Sequence, residues 1–165
     1  MTATQIRRVG PAEASAYQSL FLEALRSVPT AFAADYEQEA ARGLDEVGRR
    51  LEREASYGAF LSGTLVGIVT LQAQPTPKRR HVGMVWNMYV ADGHRGTGLA
   101  SELFQHVLQV AEREVDQVDL YVAVENQPAW KFYRRFGFES YGVMPRALRV
   151  AGVDYDALMM TKKFR

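Results

Sequence analysis

Arg95-Gly96-Thr97-Gly98 is the first stretch in which residue type and spacing point to chemistry. Two glycines one residue apart let a backbone bend sharply and come close to a ligand. Directly behind them Leu99, Ala100, Leu103, Phe104, Val107, Leu108 and Ala111 recur at helical spacing as one apolar stripe. The leading N–H groups of a helix lack internal partners, and the helix dipole adds partial positive charge at that end. Such a corner suits a phosphate, with Arg95 able to add charge, although the same residues also suit an ordinary turn. Two familiar phosphate loops do not fit. A Walker loop requires Gly-Lys, and no Gly-Lys pair occurs in the chain. The dinucleotide fingerprint requires a third glycine where Ser101 stands.

Other side chains are candidates for proton transfer or ligand contact. Tyr133 shares helical spacing with Ala129, Phe132 and Phe136, so pattern alone reads it as a core tyrosine as readily as a site hydroxyl. Asn126 stands where a strand gives way to a helix and suits a cap. Asp35, Glu37, Glu39 and His81 are the candidate bases, with Asn87 able to hold a water in their place. His94 adjoins the glycine turn, and His106 falls off the apolar stripe onto the expected surface. Trp86 and Trp130 read as packing or as acceptor contacts, since aromatic residues dominate both. The chain has no cysteine, which excludes disulfides, thiolate metal sites and cysteine nucleophiles.

The elements that must position these residues follow from period and punctuation. Gln5 to Val9 is a short strand ended by Gly10-Pro11. Ala14, Tyr17, Leu20, Phe21, Ala24, Leu25 and Val28 predict a helix stopped by Pro29. Asp35 to Glu54 reads as one or two helices interrupted near Gly43. Tyr57–Leu61 and Leu65–Gln74 are β-prone runs joined by Ser62-Gly63-Thr64, a hairpin. Val82–Val90 is a third run, the helix from Leu99 to Val115 follows the glycine turn, and Val118 to Val124 alternates as a strand. A helix from about Pro128 to Phe136 and strands near Glu139–Arg146 and Asp154–Lys163 close the chain. Residues 82–124 form a right-handed strand-helix-strand crossover among antiparallel hairpins, so the class is α+β with a mixed, mostly antiparallel sheet.

At 165 residues, 47% hydrophobic and 24% charged, the chain fits one domain spanning residues 1–165. No apolar stretch approaches the roughly 20 residues of a membrane span, and Met1-Thr2-Ala3-Thr4-Gln5 lacks a signal core, so a cytoplasmic protein without a membrane partner is expected. A net charge of +1 gives no global field for nucleic acid. Lys78-Arg79-Arg80-His81 is the one dense basic run and reads as a solvated loop, with a nucleic-acid contact as its rival.

Taken together, these residues resemble the GNAT acyltransferase superfamily. Its pyrophosphate signature, Arg/Gln-x-x-Gly-x-Gly/Ala, is matched by Arg95, Gly98 and Ala100, and Trp86-Asn87-Met88-Tyr89-Val90 looks like the preceding fourth strand. Asn126-Gln127-Pro128-Ala129-Trp130-Lys131-Phe132-Tyr133, followed by Gly137-Phe138, is similar to its Asn-x-x-Ala-x-x-x-Tyr…Gly-Phe helix. The likeness covers roughly residues 57–165. It implies a sheet whose central strands splay between flanking helices, and acetyl-CoA as co-substrate with no metal. Met88, Tyr89 and Val90 would pair with the pantetheine arm, and Arg95, Gly96, Thr97, Gly98, Leu99 and Ala100 would hold the pyrophosphate. Asn126 would bind the cofactor or a water, and Tyr133 would serve the leaving sulfur. The implied reaction is acetyl transfer to a primary amine of a small molecule or a protein, by direct attack in a ternary complex. The strand acid that many members carry is missing from Met84-Val85-Trp86-Asn87, which leaves a non-catalytic acyl-CoA sensor as the alternative. Homodimers are common in that family, and the acceptor walls fall in the helical first third and around Arg146, Arg149 and Tyr155.

Overall fold

The computed structural model describes residues 3–165; Met1 and Thr2, part of the stretch judged above for a signal core, lie outside the described residues. In chain order the elements are β1 (Thr4–Arg8), α1 (Ala14–Ser27), α2 (Tyr36–Ala40), α3 (Leu44–Arg53), β2 (Ala55–Leu61), β3 (Thr64–Ala73) and β4 (Val82–Val90). They continue with α4 (Leu99–Glu114), β5 (Gln117–Ala123), α5 (Gln127–Arg135), β6 (Glu139–Val150) and β7 (Val153–Lys163). Asp35 caps α2 by accepting the Gln38 N–H, and Gly43 starts α3, which is the interruption that its glycine signals.

The strands form one mixed sheet in the order β1-β2-β3-β4-β5-β7-β6. Only β4 and β5 run parallel, joined by the crossover through α4; the other neighbours are antiparallel. Strand alternation sends Ile68 to one face and Val69 to the other. On the first face α1, with Tyr17, Phe21 and Leu25, covers Ile68 and Tyr89, joined by Val47 and Leu51 of α3. On the second, Leu103, Phe104 and Val107 of α4 cover Val69, Val85, Val118 and Leu120. Two helical layers thus enclose the sheet, each burying its own apolar stripe.

Two irregularities prepare the centre of the sheet. Ile68 pairs with Tyr89 but Thr70 with Trp86, so β4 takes three steps where β3 takes two. This bulge falls on Asn87, whose φ of 54° is unusual for a side chain other than glycine. The second irregularity is the end of the β4–β5 ladder, which pairs Val82 with Gln117, Gly83 with Val118 and Met84 with Asp119 and then stops. Beyond that point β4 stays bonded to β3 through Val90, and β5 to β7 through Ala123. Each strand is held on its outer edge while the inner edges part.

Candidate functional site

The parting strands open a cleft of 470 Å³. Its floor is Val85 to Met88 of β4 and Leu120 to Ala123 of β5. One wall comes from α5 through Ala129 and Tyr133, with Asn126 at its start. The opposite wall is built from Phe21, residues 30–34, Glu39, Arg50 and Glu54. Met144, Leu148 and Tyr155 of the β6–β7 hairpin close the side, and the loop after α1 reaches both β5 and β6.

At the end of β4 the chain turns through Arg95-Gly96-Thr97-Gly98. Gly96 and Gly98 have φ of 72° and 88°, a region that L side chains avoid, so glycine is required at both. A Cβ at either would meet no atom within 4 Å, so the space above the turn is open. The first hydrogen bond into α4 is Glu102 N–H to the Gly98 carbonyl. Among the described residues, the N–H groups of Gly96 through Ser101 have no partner, and they stand at the positive end of a 16-residue helix. The turn is braced from within: Thr97 Oγ1 donates to the His94 carbonyl at 2.7 Å.

Arg95 departs from the expected role of a free phosphate partner. Its Nε donates to the Val90 carbonyl at 3.1 Å, Nη1 pairs with Asp92 at 2.6 Å, and the guanidinium lies 5.3 Å from the centre of the Tyr89 ring. The side chain ties the turn to the end of β4 and is ion-paired with Asp92. Tyr89 likewise sends its hydroxyl away from the strand opening, to Glu23 at 2.9 Å. Past Met84, β4 pairs with nothing on the β5 side among the described residues, and Met88 lines the cleft.

Tyr133 is both a core and a cleft residue. Its ring sits 5.3 Å from Phe104 and 5.5 Å from Phe132, centre to centre, within the aromatic cluster that α4 and α5 share with Phe138. Its hydroxyl accepts and donates no hydrogen bond among the described residues, and burial pushes its pKa up to about 12. Asn126 caps α5, its Oδ1 accepting the Ala129 N–H at 3.3 Å, and it also lines the cleft. The cap expected from the sequence is thus present, and the same residue borders the cleft. Asn87 lines the cleft beside Trp86, which is 37% exposed, and its side chain is near a buried polar group of Tyr17, Ser56 and Thr70. Ser56 and Thr70 share a 2.8 Å hydrogen bond there, whereas the fully buried Tyr17 hydroxyl reaches none of its neighbours at bonding geometry.

Of the candidate bases, Glu39 alone lines the cleft. It is buried and saturated by Arg42 and Arg50. Asp35 is spent on its cap, Glu37 is exposed, and His81 lies exposed at the far end of β4. His106, expected on the surface, is half-buried against the Tyr57 ring at 5.5 Å. Trp130 packs against the core and donates its indole N–H to Val124. Arg146 and Arg149 are outside the cleft, Arg149 being paired with Asp154. Glu54 does line the cleft and went unnoticed in the sequence. Its place at the end of α3, just before the strand that begins at Ala55, is what brings it there.

Among the described residues no cluster of three or more His, Cys, Asp or Glu is placed to hold a metal ion, and no helix is long and apolar enough to cross a membrane. An open mixed sheet whose two central parallel strands part beside an unpartnered helix N-terminus is a frame for a long ligand with a phosphate group. The Acetyltransferase (GNAT) family matches residues 17–138, and the chain belongs to that family. Similar proteins include the L-amino acid N-acetyltransferase AaaT of Escherichia coli (strain K12), 31% identical over 106 residues, which are 63% of this chain and 65% of that protein. The mycothiol acetyltransferase of Corynebacterium aurimucosum is 38% identical over 84 residues, 49% of this chain and 27% of that protein. The chain thus spans less than two thirds of the length of either relative. In fold it is similar to an acetyltransferase of the GNAT family from Streptococcus pneumoniae, with TM-score 0.85, 23% identity and 99% and 100% of the two chains covered. It is also similar to yncA from Salmonella typhimurium, solved with its cofactor acetyl-CoA, with TM-score 0.79, 18% identity and 99% and 95% covered.

Proposed function

We propose that the chain is an N-acetyltransferase that passes the acetyl group of acetyl-CoA to a primary amine by direct attack in a ternary complex. The carrying observation is that the open inner edge of β4 leads straight to the unpartnered N–H groups of Gly96 to Ser101. A pyrophosphate at that turn and a pantetheine arm along Met88–Val90 suit the two features at their observed spacing in the chain. Holding both ends fixes the thioester in the cleft, where orientation is worth up to ~7–11 kcal/mol of the barrier.

The chain's own groups then have distinct tasks. The backbone of Met88, Tyr89 and Val90 offers N–H and C=O groups to the arm. Asn126 and Asn87 orient the thioester or a water beside it. Tyr133 directs its hydroxyl toward the sulfur. Because its pKa is about 12, well above the ~8.5 of an ordinary thiol, it is a poor acid by itself. It acts best as a shuttle, passing its proton to sulfur while the nitrogen of the attacking amine replaces that proton.

Initial-rate kinetics with both substrates varied test this reading. Intersecting double-reciprocal lines with amine-dependent release of CoA are expected. Parallel lines, or tight acetyl-CoA binding with no turnover of any amine, would contradict it, the latter in favour of an acyl-CoA sensor.

A further inference from the structure

The cleft wall made by α2, α3 and the start of β2 carries Glu39, Arg50 and Glu54. Arg50 Nη1 donates to both oxygens of Glu39, at 3.1 and 3.0 Å, and Glu39 is 5% exposed. Removing one member of such a buried pair leaves the other charge uncompensated, which is strongly destabilising. Arg50 is therefore committed to Glu39, and it is the only cationic side chain that lines the cleft among the described residues. Asp156, the third carboxylate of the lining, accepts the Arg146 N–H at 2.8 Å. Glu39 is matched by Arg42 and Arg50, so among the described residues the lining offers no uncommitted cation.

Glu54 is the carboxylate without a partner: among the described residues its side chain makes no hydrogen bond or ion pair. It is the C-cap of α3, extended at φ −102° and ψ 134°, and its carbonyl accepts the Ser56 N–H at 2.9 Å across a tight turn at Ala55. Beyond that turn Ser56 pairs with Thr70, which in turn pairs with Trp86 of β4. Glu54 and Asn87 both line the cleft. Burial raises its carboxyl above the ordinary range, opposed by the charges of Arg50, Arg53 and Arg42 and reinforced by Glu39. The remaining wall is apolar and aromatic, with Phe32, Tyr121, Met144, Leu148 and Tyr155.

Resting on the transfer reading above, we propose that the acceptor is a primary amine with no carboxylate beside it, whose ammonium docks at Glu54 and loses its first proton there. A carboxylate next to the amine would meet the unpaired Glu54 and no free cation, since Arg50 is taken by Glu39. Atoms and charges balance as follows. Glu54 takes one proton from R–NH3+, and the freed amine bonds to the acetyl carbon as the C–S bond breaks. The second nitrogen proton reaches sulfur through the Tyr133 hydroxyl, giving the amide and CoA thiol, and Glu54 returns its proton to water.

The test compares 2-phenylethylamine with L-phenylalanine, one body with and without the carboxylate, using wild type and Glu54→Gln. The amine is expected to exceed the amino acid in kcat/KM by roughly 10²-fold, the scale of like-charge repulsion in a buried site. Glu54→Gln should keep its acetyl-CoA Kd, which reports a folded protein, and lose ~10²-fold in kcat/KM for the amine. It should also lose the acid limb of the profile, since wild-type activity is present above the raised Glu54 pKa and falls as pH drops through it. If L-phenylalanine is acetylated as well as the amine, or Glu54→Gln matches wild type in rate and profile, the proposal is overturned while acetyl transfer stands. If no amine is acetylated although acetyl-CoA binds, the transfer reading itself falls and this one with it.

Discussion

At the residue scale, Tyr133 and Glu54 show opposite relations between sequence and site. Tyr133 reads from its spacing as either core or site; the ring is held by Phe104 and Phe132, and the residue also lines the cleft. Tyr133→Phe keeps the ring and its packing, so acetyl-CoA Kd should be unchanged while kcat falls ~10²-fold, measured by CoA release. A wild-type rate would remove Tyr133 from the chemistry. With its pKa near 12, Tyr133 stays protonated through and well above neutrality, so no alkaline loss of kcat in ordinary assay range belongs to it. Glu54 was not legible, because it ends a run from Asp35 in which acids and arginines recur with every turn. Composition there shows a solvated helix; only the change from helix to strand at Ala55 turns this one carboxylate into the cleft.

At the scale of elements, the glycine turn and α4 were readable because two independent patterns meet there: positive-φ glycines and an apolar stripe of period 3.6. Gly98→Glu should abolish CoA binding by calorimetry, since it sets bulk and negative charge on the N–H groups proposed to hold a pyrophosphate. Gly98→Ala, which shares the strained φ but adds no charge, should weaken binding less. Equal affinity for wild type and Gly98→Glu would sink the assignment of that turn. The parting of β4 from β5 was expected only through the family likeness, and the bulge in β4 was not legible. Trp86-Asn87-Met88-Tyr89 alternates no differently from a regular strand, and a bulge depends on the partner's register. Strand partners far apart in sequence are equally silent: β7 slips between β5 and β6, a placement that hairpin logic alone does not give.

At the scale of the molecule, the two helical layers explain why the centre of the sheet can open without loss of order. The α1–α3 layer and the α4–α5 layer each bury a separate apolar cluster, so the cleft runs between two completed cores. Phe104 is the hinge of the second, in ring contact with Phe132, Tyr133, Phe136 and Phe138. Phe104→Ala should lower unfolding free energy by about 3–5 kcal/mol in denaturant melts. A loss below about 1 kcal/mol would mean that α5 does not depend on it. The class of fold and the order of elements were accessible from pattern, because each element carries its own period, and the family likeness came from the motifs at Arg95–Ala100 and Asn126–Tyr133. Which side chains of the first helices and the last strands line the cleft was not accessible, since that wall is assembled from a loop, two short helices and a hairpin that meet only in space.

The most direct test of the central claim is the release of CoA thiol from acetyl-CoA, followed together with mass analysis of the amine, across a panel of primary amines. Acetyl transfer predicts one acetylated amine for each CoA released, with release dependent on amine concentration. CoA release that is indifferent to every amine, or acetyl-CoA held intact through all of them, would contradict it.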